Sequence, residues 1–128
     1  MENEKLIMFE EAEKPYNIRY RCFHFAKEII KSESESKYKR IHFSIFDQLI
    51  RSATSIGANV VEGSSGSTKK DFANFFHIAL KSAHEARYRL CLTRDTIVVN
   101  KTRLDEFLKE ADEISKIIAA ILLSTKQF

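Results

Sequence analysis

Phe72-Ala-Asn-Phe75-Phe76-His-Ile-Ala79-Leu-Lys-Ser-Ala83-His-Glu-Ala86-Arg-Tyr-Arg-Leu90 decides the fold class. Its apolar residues Phe72, Phe75, Phe76, Ala79, Ala83, Ala86 and Leu90 recur at steps of three and four, which stacks them on one helical face. The spacing predicts a long helix over 69–97. The small residues in its middle let a neighbouring helix approach closely. Thr68 or Ser67 suits its N-cap, with Asp71 placed three residues after Thr68.

Working outward, the same period predicts three more helices. One covers 43–62, with Phe43, Phe46, Ile50, Ala53, Gly57, Val60 and Val61 on its apolar face and Leu49 and Ile56 at one edge. Gly63-Ser-Ser-Gly66 stops it, and Gly63 is expected to take the left-handed conformation that ends many helices. A helix from about 102 to 124 follows a turn at 98–101. Its inward residues are Leu104, Phe107, Leu108, Ala111, Ile114, Ile118, Ile121 and Leu122. Thr102 is its expected cap, and Asp105, Glu106 and Glu110 suit the positive end of its dipole. The first helix runs over 15–32 with Ile18, Cys22, Phe25 and Ile29 in register, and Pro15 fits its first turn. Residues 32–40 show no apolar period and read as a loop.

Four amphipathic helices with short connections predict an all-α, antiparallel up-down four-helix bundle over 15–128. Only three Gly and one Pro occur in 128 residues, too few for the frequent turns of a sandwich or barrel. Residues 1–14 hold five Glu against two Lys and read as a flexible acidic arm. That is the wrong charge for a secretory leader, and the longest apolar run, Ile117 to Leu123, is too short to span a membrane. The expectation is a cytoplasmic protein without a membrane partner. Cys22 and Cys91 read as small buried hydrophobes rather than a disulfide framework.

Two surfaces exceed what a lone bundle needs. Ile117–Leu123 is apolar on all sides, and Phe23 points off the first helix's stripe; both predict self-association. On the second helix, Gln48, Arg51, Ser55, Asn59 and Glu62 form a polar strip opposite its apolar face. A solvated face explains it, and so does a hydrogen-bonded contact strip for a subunit or partner. Ser and Asn are poor residues for a helix interior, which favours the contact reading.

Charge is distributed unevenly. Residues 15–104 carry 16 Lys/Arg against 8 Asp/Glu, a surplus suited to a polyanion at modest density. Lys69, Lys70, Arg87 and Arg94 are the candidate polyanion contacts. Lys69 and Lys70 also follow the Gly63–Gly66 loop, which with no preceding strand and no Walker spacing reads first as a plain connection; read as a site at a helix N-terminus, it suits one phosphate of a nucleic-acid backbone. His77 and His84 share a helix face near Lys81 and Tyr88 without a third ligand at metal spacing, so no metal is expected. No nucleophile–base pair or cofactor motif is visible, so neither an enzyme nor a small-molecule substrate is expected. Most Phe lie on core stripes rather than beside cations, which argues against sequence-specific single-strand readout.

The run from Leu49 through Ser55-Ile-Gly-Ala-Asn59-Val-Val-Glu62-Gly63, with Lys70-Asp71-Phe72 and Phe76-His-Ile-Ala79-Leu-Lys-Ser82-Ala-His-Glu85, resembles the four-helix proteins encoded in intervening sequences of bacterial 23S ribosomal RNA genes. The resemblance covers about 43–92 by motif. It adds Ser82 and Glu85 to the contact strip as family-pattern positions. Gly57 stands where the pattern often has Pro, and Ser52 where a second Arg is common, which removes one positive charge from any polyanion contact. The resemblance implies a homopentamer, and kinship with the nucleic-acid-binding accessory proteins of diversity-generating retroelements. It implies no enzymatic activity. The resulting expectation is a non-catalytic oligomeric scaffold that binds RNA or other nucleic acid; the alternative is a protein–protein adaptor.

Overall fold

The computed structural model describes residues 17–34, 40–65, 68–97 and 100–126. The acidic arm, Pro15, Gly66 and the Ser67 cap lie outside the described residues, as does most of the first loop. The described residues form four helices, α1 (Ile18–Ser34), α2 (Phe43–Gly63), α3 (Lys69–Thr96) and α4 (Lys101–Lys126), with a 3-10 turn at Arg40–His42 leading into α2. Among the described residues there is no strand.

The helix starts are set by local side chains. Asn17 Oδ1 accepts from the amides of Arg19 and Tyr20 at the head of α1. Thr68 is the N-cap of α3, its hydroxyl accepting from the Asp71 amide at 3.2 Å. Before α4 the structure corrects the expected cap. Asn100, not Thr102, accepts from the Arg103 amide, so the helix begins one residue earlier and Thr102 lies inside its first turn. Asn and Thr are both good capping residues, and the sequence offered both within three positions.

Gly63 is the second correction. It lies inside α2, and Ser64 follows it with ordinary right-handed angles, φ −81° and ψ −2°. A Cβ built on Gly63 would stand 2.9 Å from Phe76 Cδ1 and 3.0 Å from Phe75 Cβ. The residue therefore serves close packing of α2 on α3 rather than a left-handed exit. Ser64 and Ser65 satisfy the terminal carbonyls of Val60 and Glu62 with backbone and side-chain bonds.

Packing closes a circuit. Helix α2 lies against α1 and α3, α3 against α4, and α4 against α1, with no diagonal contact among the described residues. The core between them holds Phe25, Ile29, Leu49, Ile56, Phe76, Leu90, Ile114 and Ile118. Ala79, Ala83 and Ala86 are fully buried, which fits the close approach predicted from their size. Phe25 and Phe107 meet edge to face across α1 and α4. Large core residues of this kind each contribute about 2–5 kcal/mol against truncation to Ala.

On α2 the buried face is rotated from the apolar face drawn from periodicity. Phe43 and Val61 are exposed, while Leu49 and Ile56, read as edge residues, are buried. Ser52 is buried too, its hydroxyl donating to the Leu49 carbonyl at 3.0 Å. Position 52 therefore faces the core, so the lack of an Arg there has no bearing on a surface polyanion contact. In α4, Ile118 and Leu122 are buried, Ile117 and Ile121 half-buried, and Leu123 is 62% exposed. No helix among the described residues is long and apolar enough to cross a membrane.

Candidate functional site

The polar strip of α2 proves to face α3. Ser55 Oγ and Ser82 Oγ are 2.8 Å apart, with Ser82 only 6% exposed. Asn59 Nδ2 donates to the Ser55 carbonyl at 2.8 Å and to Ser55 Oγ at 3.1 Å. Gln48 Oε1 accepts from an Arg89 Nη1 proton. The sequence reading had this strip opposite the apolar face. Helix α2 has only one apolar stripe, and α3 covers one flank of it, so the strip sits on that flank. Small hydroxyls at the flank let the two helices close without leaving polar atoms unpaired.

The other members lie outboard. Arg51 is paired with Asp47 at 2.9 Å on an open surface, and Glu62 and Glu85 are exposed. Exposed Ile78 and Leu92 stand on α3, seven residues either side of Glu85. The structure thus divides the strip into a seam toward α3, Ser55–Asn59–Ser82 with exposed Gln48 at its end, and an exposed fringe, Arg51, Glu62 and Glu85.

The four candidate polyanion contacts do not converge. Lys69 and Lys70 are exposed at the head of α3. Arg94 lies 24 residues beyond Lys70, about 36 Å along the helix. Arg87 is held by Asp112 at 2.7 Å. Arg94 bridges Asp95 at 3.0 Å and Asp105 at 3.2 Å. Hydrogen bonds to Asp95, and then Asp105, push the Arg94 guanidinium further up, and Arg94 in turn holds the Asp95 carboxyl below its ordinary value. Both arginines face α4, whose acidic first half takes up their charge. Exposed ion pairs of this kind contribute little to stability, but they do use the charge a polyanion would need.

A second basic face joins Lys70, a polyanion contact in the sequence reading, to the His77–His84 face, for which no metal was expected. Lys70, His77, Lys81, His84 and Tyr88 recur at steps of seven, four, three and four along α3, and all are exposed. They form one stripe about 27 Å long. Neither Lys70 nor Lys81 has a carboxylate within ion-pair distance among the described residues. Tyr88 is 64% exposed.

Elsewhere the polar chemistry is structural. Arg21 grips Glu110 through two hydrogen bonds, one from Nε at 3.1 Å, which raise the guanidinium above its usual value. Arg103 bridges Glu28 at 3.1 Å and Glu106 at 3.2 Å and lies over the Phe107 ring. Burial, helped by the Glu110 charge, pushes the Cys22 thiol up to about 12, so it is no nucleophile. Among the described residues no three His, Cys, Asp or Glu side chains gather as a metal site.

A shallow apolar cavity of about 510 Å³ lies between α1 and α2. The sequence signal for it was Phe23, off the α1 stripe; its companion Ile30, seven residues on, escaped notice.

Residues 14–120 match the sequence profile of the 23S rRNA-intervening sequence protein family. A crystal structure from Bacteroides thetaiotaomicron, described as a protein of unknown function from the S23 ribosomal protein family, superposes with a TM-score of 0.72. It shares 29% sequence identity, and the match covers 82% of this chain and 97% of that one. No curated protein matches. With the profile spanning most of its length, the chain belongs to the 23S rRNA-intervening sequence protein family.

Proposed function

We propose that this family member is a non-catalytic, homo-oligomeric scaffold that binds structured nucleic acid along the solvent face of α3. The observation that carries the reading is the Lys70–His77–Lys81–His84–Tyr88 stripe. Its two lysines are in no ion pair among the described residues, its histidines supply ring N–H donors, and Tyr88 offers a face for stacking. Arg87 and Arg94 hold the α3–α4 seam instead, so the polyanion contacts are Lys70 and Lys81, with Lys69 at one end.

The scaffold itself is read as an antiparallel up-down bundle. Support comes from opposed numbering across the seams: 48 with 89 and 55 with 82, 87 with 112 and 94 with 105, 21 with 110 and 28 with 103. Subunit contact is assigned to the fringe of the α2–α3 seam, where Arg51, Glu62 and Glu85 stand beside exposed Ile78 and Leu92. The oligomer repeats the α3 stripe around its symmetry axis and multiplies weak phosphate contacts. No cofactor or small-molecule substrate enters this reading, and a cytoplasmic setting fits it. An adaptor for another protein is the second reading, favoured by Ile41 and Phe43, both more than half exposed at the start of α2.

The test is binding of labelled structured RNA and duplex DNA over a salt series, with mass followed by light scattering. Wild type is expected to bind more weakly as salt rises. Lys70→Glu with Lys81→Glu should flatten the log–log slope by about two, near one unit per lost phosphate contact. Glu62→Ala with Glu85→Ala should lower the oligomer mass. No salt-sensitive binding at low ionic strength sinks the nucleic-acid reading, and a partner captured equally after nuclease treatment favours the adaptor.

A further inference from the structure

The groove between α1 and α2 is built for an apolar segment carrying negative charge. Its floor is low because Gly57 meets α1 directly: a Cβ there would lie 3.2 Å from Cys22 Cβ. Ala26 and Ala58 keep the floor shallow, and Phe23, Ile30 and Val61 form its walls, all three exposed. Along the α1 side run Arg19, Lys27 and Lys31. None of the three has a carboxylate within ion-pair distance among the described residues. An apolar trough with a one-sided basic rim is an uncommon surface for a bundle to leave open.

The chain carries a segment of the complementary kind. Leu6-Ile-Met-Phe9 is a four-residue apolar run inside residues 1–14, flanked by Glu2 and Glu4 on one side and Glu10, Glu11 and Glu13 on the other. Aspartates or glutamates around an apolar core match a trough whose rim is basic. Reach also fits. The groove extends from Arg19 to Ile30, about 17 Å of helix. The eight residues from Phe9 to Asn17 span up to about 26 Å when extended. A segment joined to the rim at Asn17 meets the groove at an effective concentration near millimolar, so modest contacts suffice.

We propose that Leu6–Phe9 docks in the α1–α2 groove of its own chain, with the flanking glutamates on Arg19, Lys27 and Lys31. The docked segment covers the apolar walls and neutralises the rim.

Two full-chain variants test this. Leu6→Asp with Phe9→Asp removes the apolar run; Lys27→Glu with Lys31→Glu reverses the rim and leaves the groove walls intact. Each is expected to shift the methyl resonances of Ala26, Ile30, Ala58 and Val61 and to raise binding of a hydrophobic dye several-fold. Adding a synthetic peptide of residues 1–14 to the first variant should reverse both changes. Groove resonances and dye binding unchanged in both variants overturn the proposal. Shifts accompanied by a loss of oligomer mass assign the groove to a second copy, which overturns it equally.

Discussion

Replacing Gly63 by Ala asks what that glycine is for. A new Cβ would meet Phe76 Cδ1 at 2.9 Å, Phe75 Cβ at 3.0 Å and Phe76 Cε1 at 3.1 Å. Real Cβ contacts are looser, so Phe76 or the α2–α3 spacing must give. Overpacking of this size costs about 1–3 kcal/mol. Against it stands the better helix propensity of Ala, about 0.5–1 kcal/mol inside a helix. The net is a loss of about 1–2 kcal/mol, or a fall in Tm of roughly 3–8 °C for a domain this size. Urea unfolding followed by circular dichroism, at one protein concentration, measures it. The single variant does not separate close packing from a left-handed cap, since both penalise Ala. The Gly63→Ala, Phe76→Leu cycle does. Removing the ring clears two of the three contacts, so the two changes should couple favourably by at least about 0.5 kcal/mol. Phe75 Cβ moves with the backbone and keeps the rescue partial. Gly63→Asn gives the opposite sign under the two accounts: a left-handed site tolerates Asn well, whereas a crowded site makes Asn worse than Ala. Zero coupling with Phe76, or Asn more stable than Ala, would refute the packing argument.

Two further outcomes follow from the seams and from Glu33. Ser55→Ala and Ser82→Ala should each cost about 1 kcal/mol and couple by about 0.5–1.5 kcal/mol, because each breaks the hydroxyl pair between α2 and α3, Ser55 keeping only its bond from Asn59 when Ser82 is removed; additive losses would show that the 2.8 Å pair contributes nothing in solution. Burial pushes the Glu33 carboxyl from 4.5 up to about 7, with Oε1 lacking a hydrogen-bond partner. The native state then holds a proton that the unfolded chain releases between about pH 4.5 and 7, so stability is highest below that window and falls as pH rises through it. After allowance for solvent screening of this half-buried group the fall is about 1–2 kcal/mol. Glu33→Gln should remove it, and denaturant midpoints of wild type and variant that run parallel from pH 4.5 to 8 would show that Glu33 is not the titrating group.

Sequence alone settled much of this protein. Steps of three and four in Phe72–Leu90 and its three counterparts fixed four helices, and the bounds of α2 and α3 fell within one residue of the reading. The buried alanines of α3 and the Thr68 cap were legible because each depends on local chemistry: small size in one case, a hydroxyl beside free amides in the other. What failed depended on neighbours several turns or a helix away. Periodicity shows that a helix has an apolar stripe but not which line of it is buried deepest, since that is set by how two adjacent helices flank it. Phe43 and Val61 were therefore placed inside while Ser52 and the Ser55–Ser82 pair were placed outside. Arg87 and Arg94 read as free charge because Asp112 and Asp105 become their partners only when α4 lies beside α3, although Asp95, the second partner of Arg94, is its neighbour in the chain. Gly63 read as a cap because a glycine at the end of a helical pattern usually is one; only the Phe75 and Phe76 side chains, brought in from the next helix, reveal that it marks a close approach. Residue order determined the elements, and the contacts between them decided which side chains are core, which are seam, and which remain exposed.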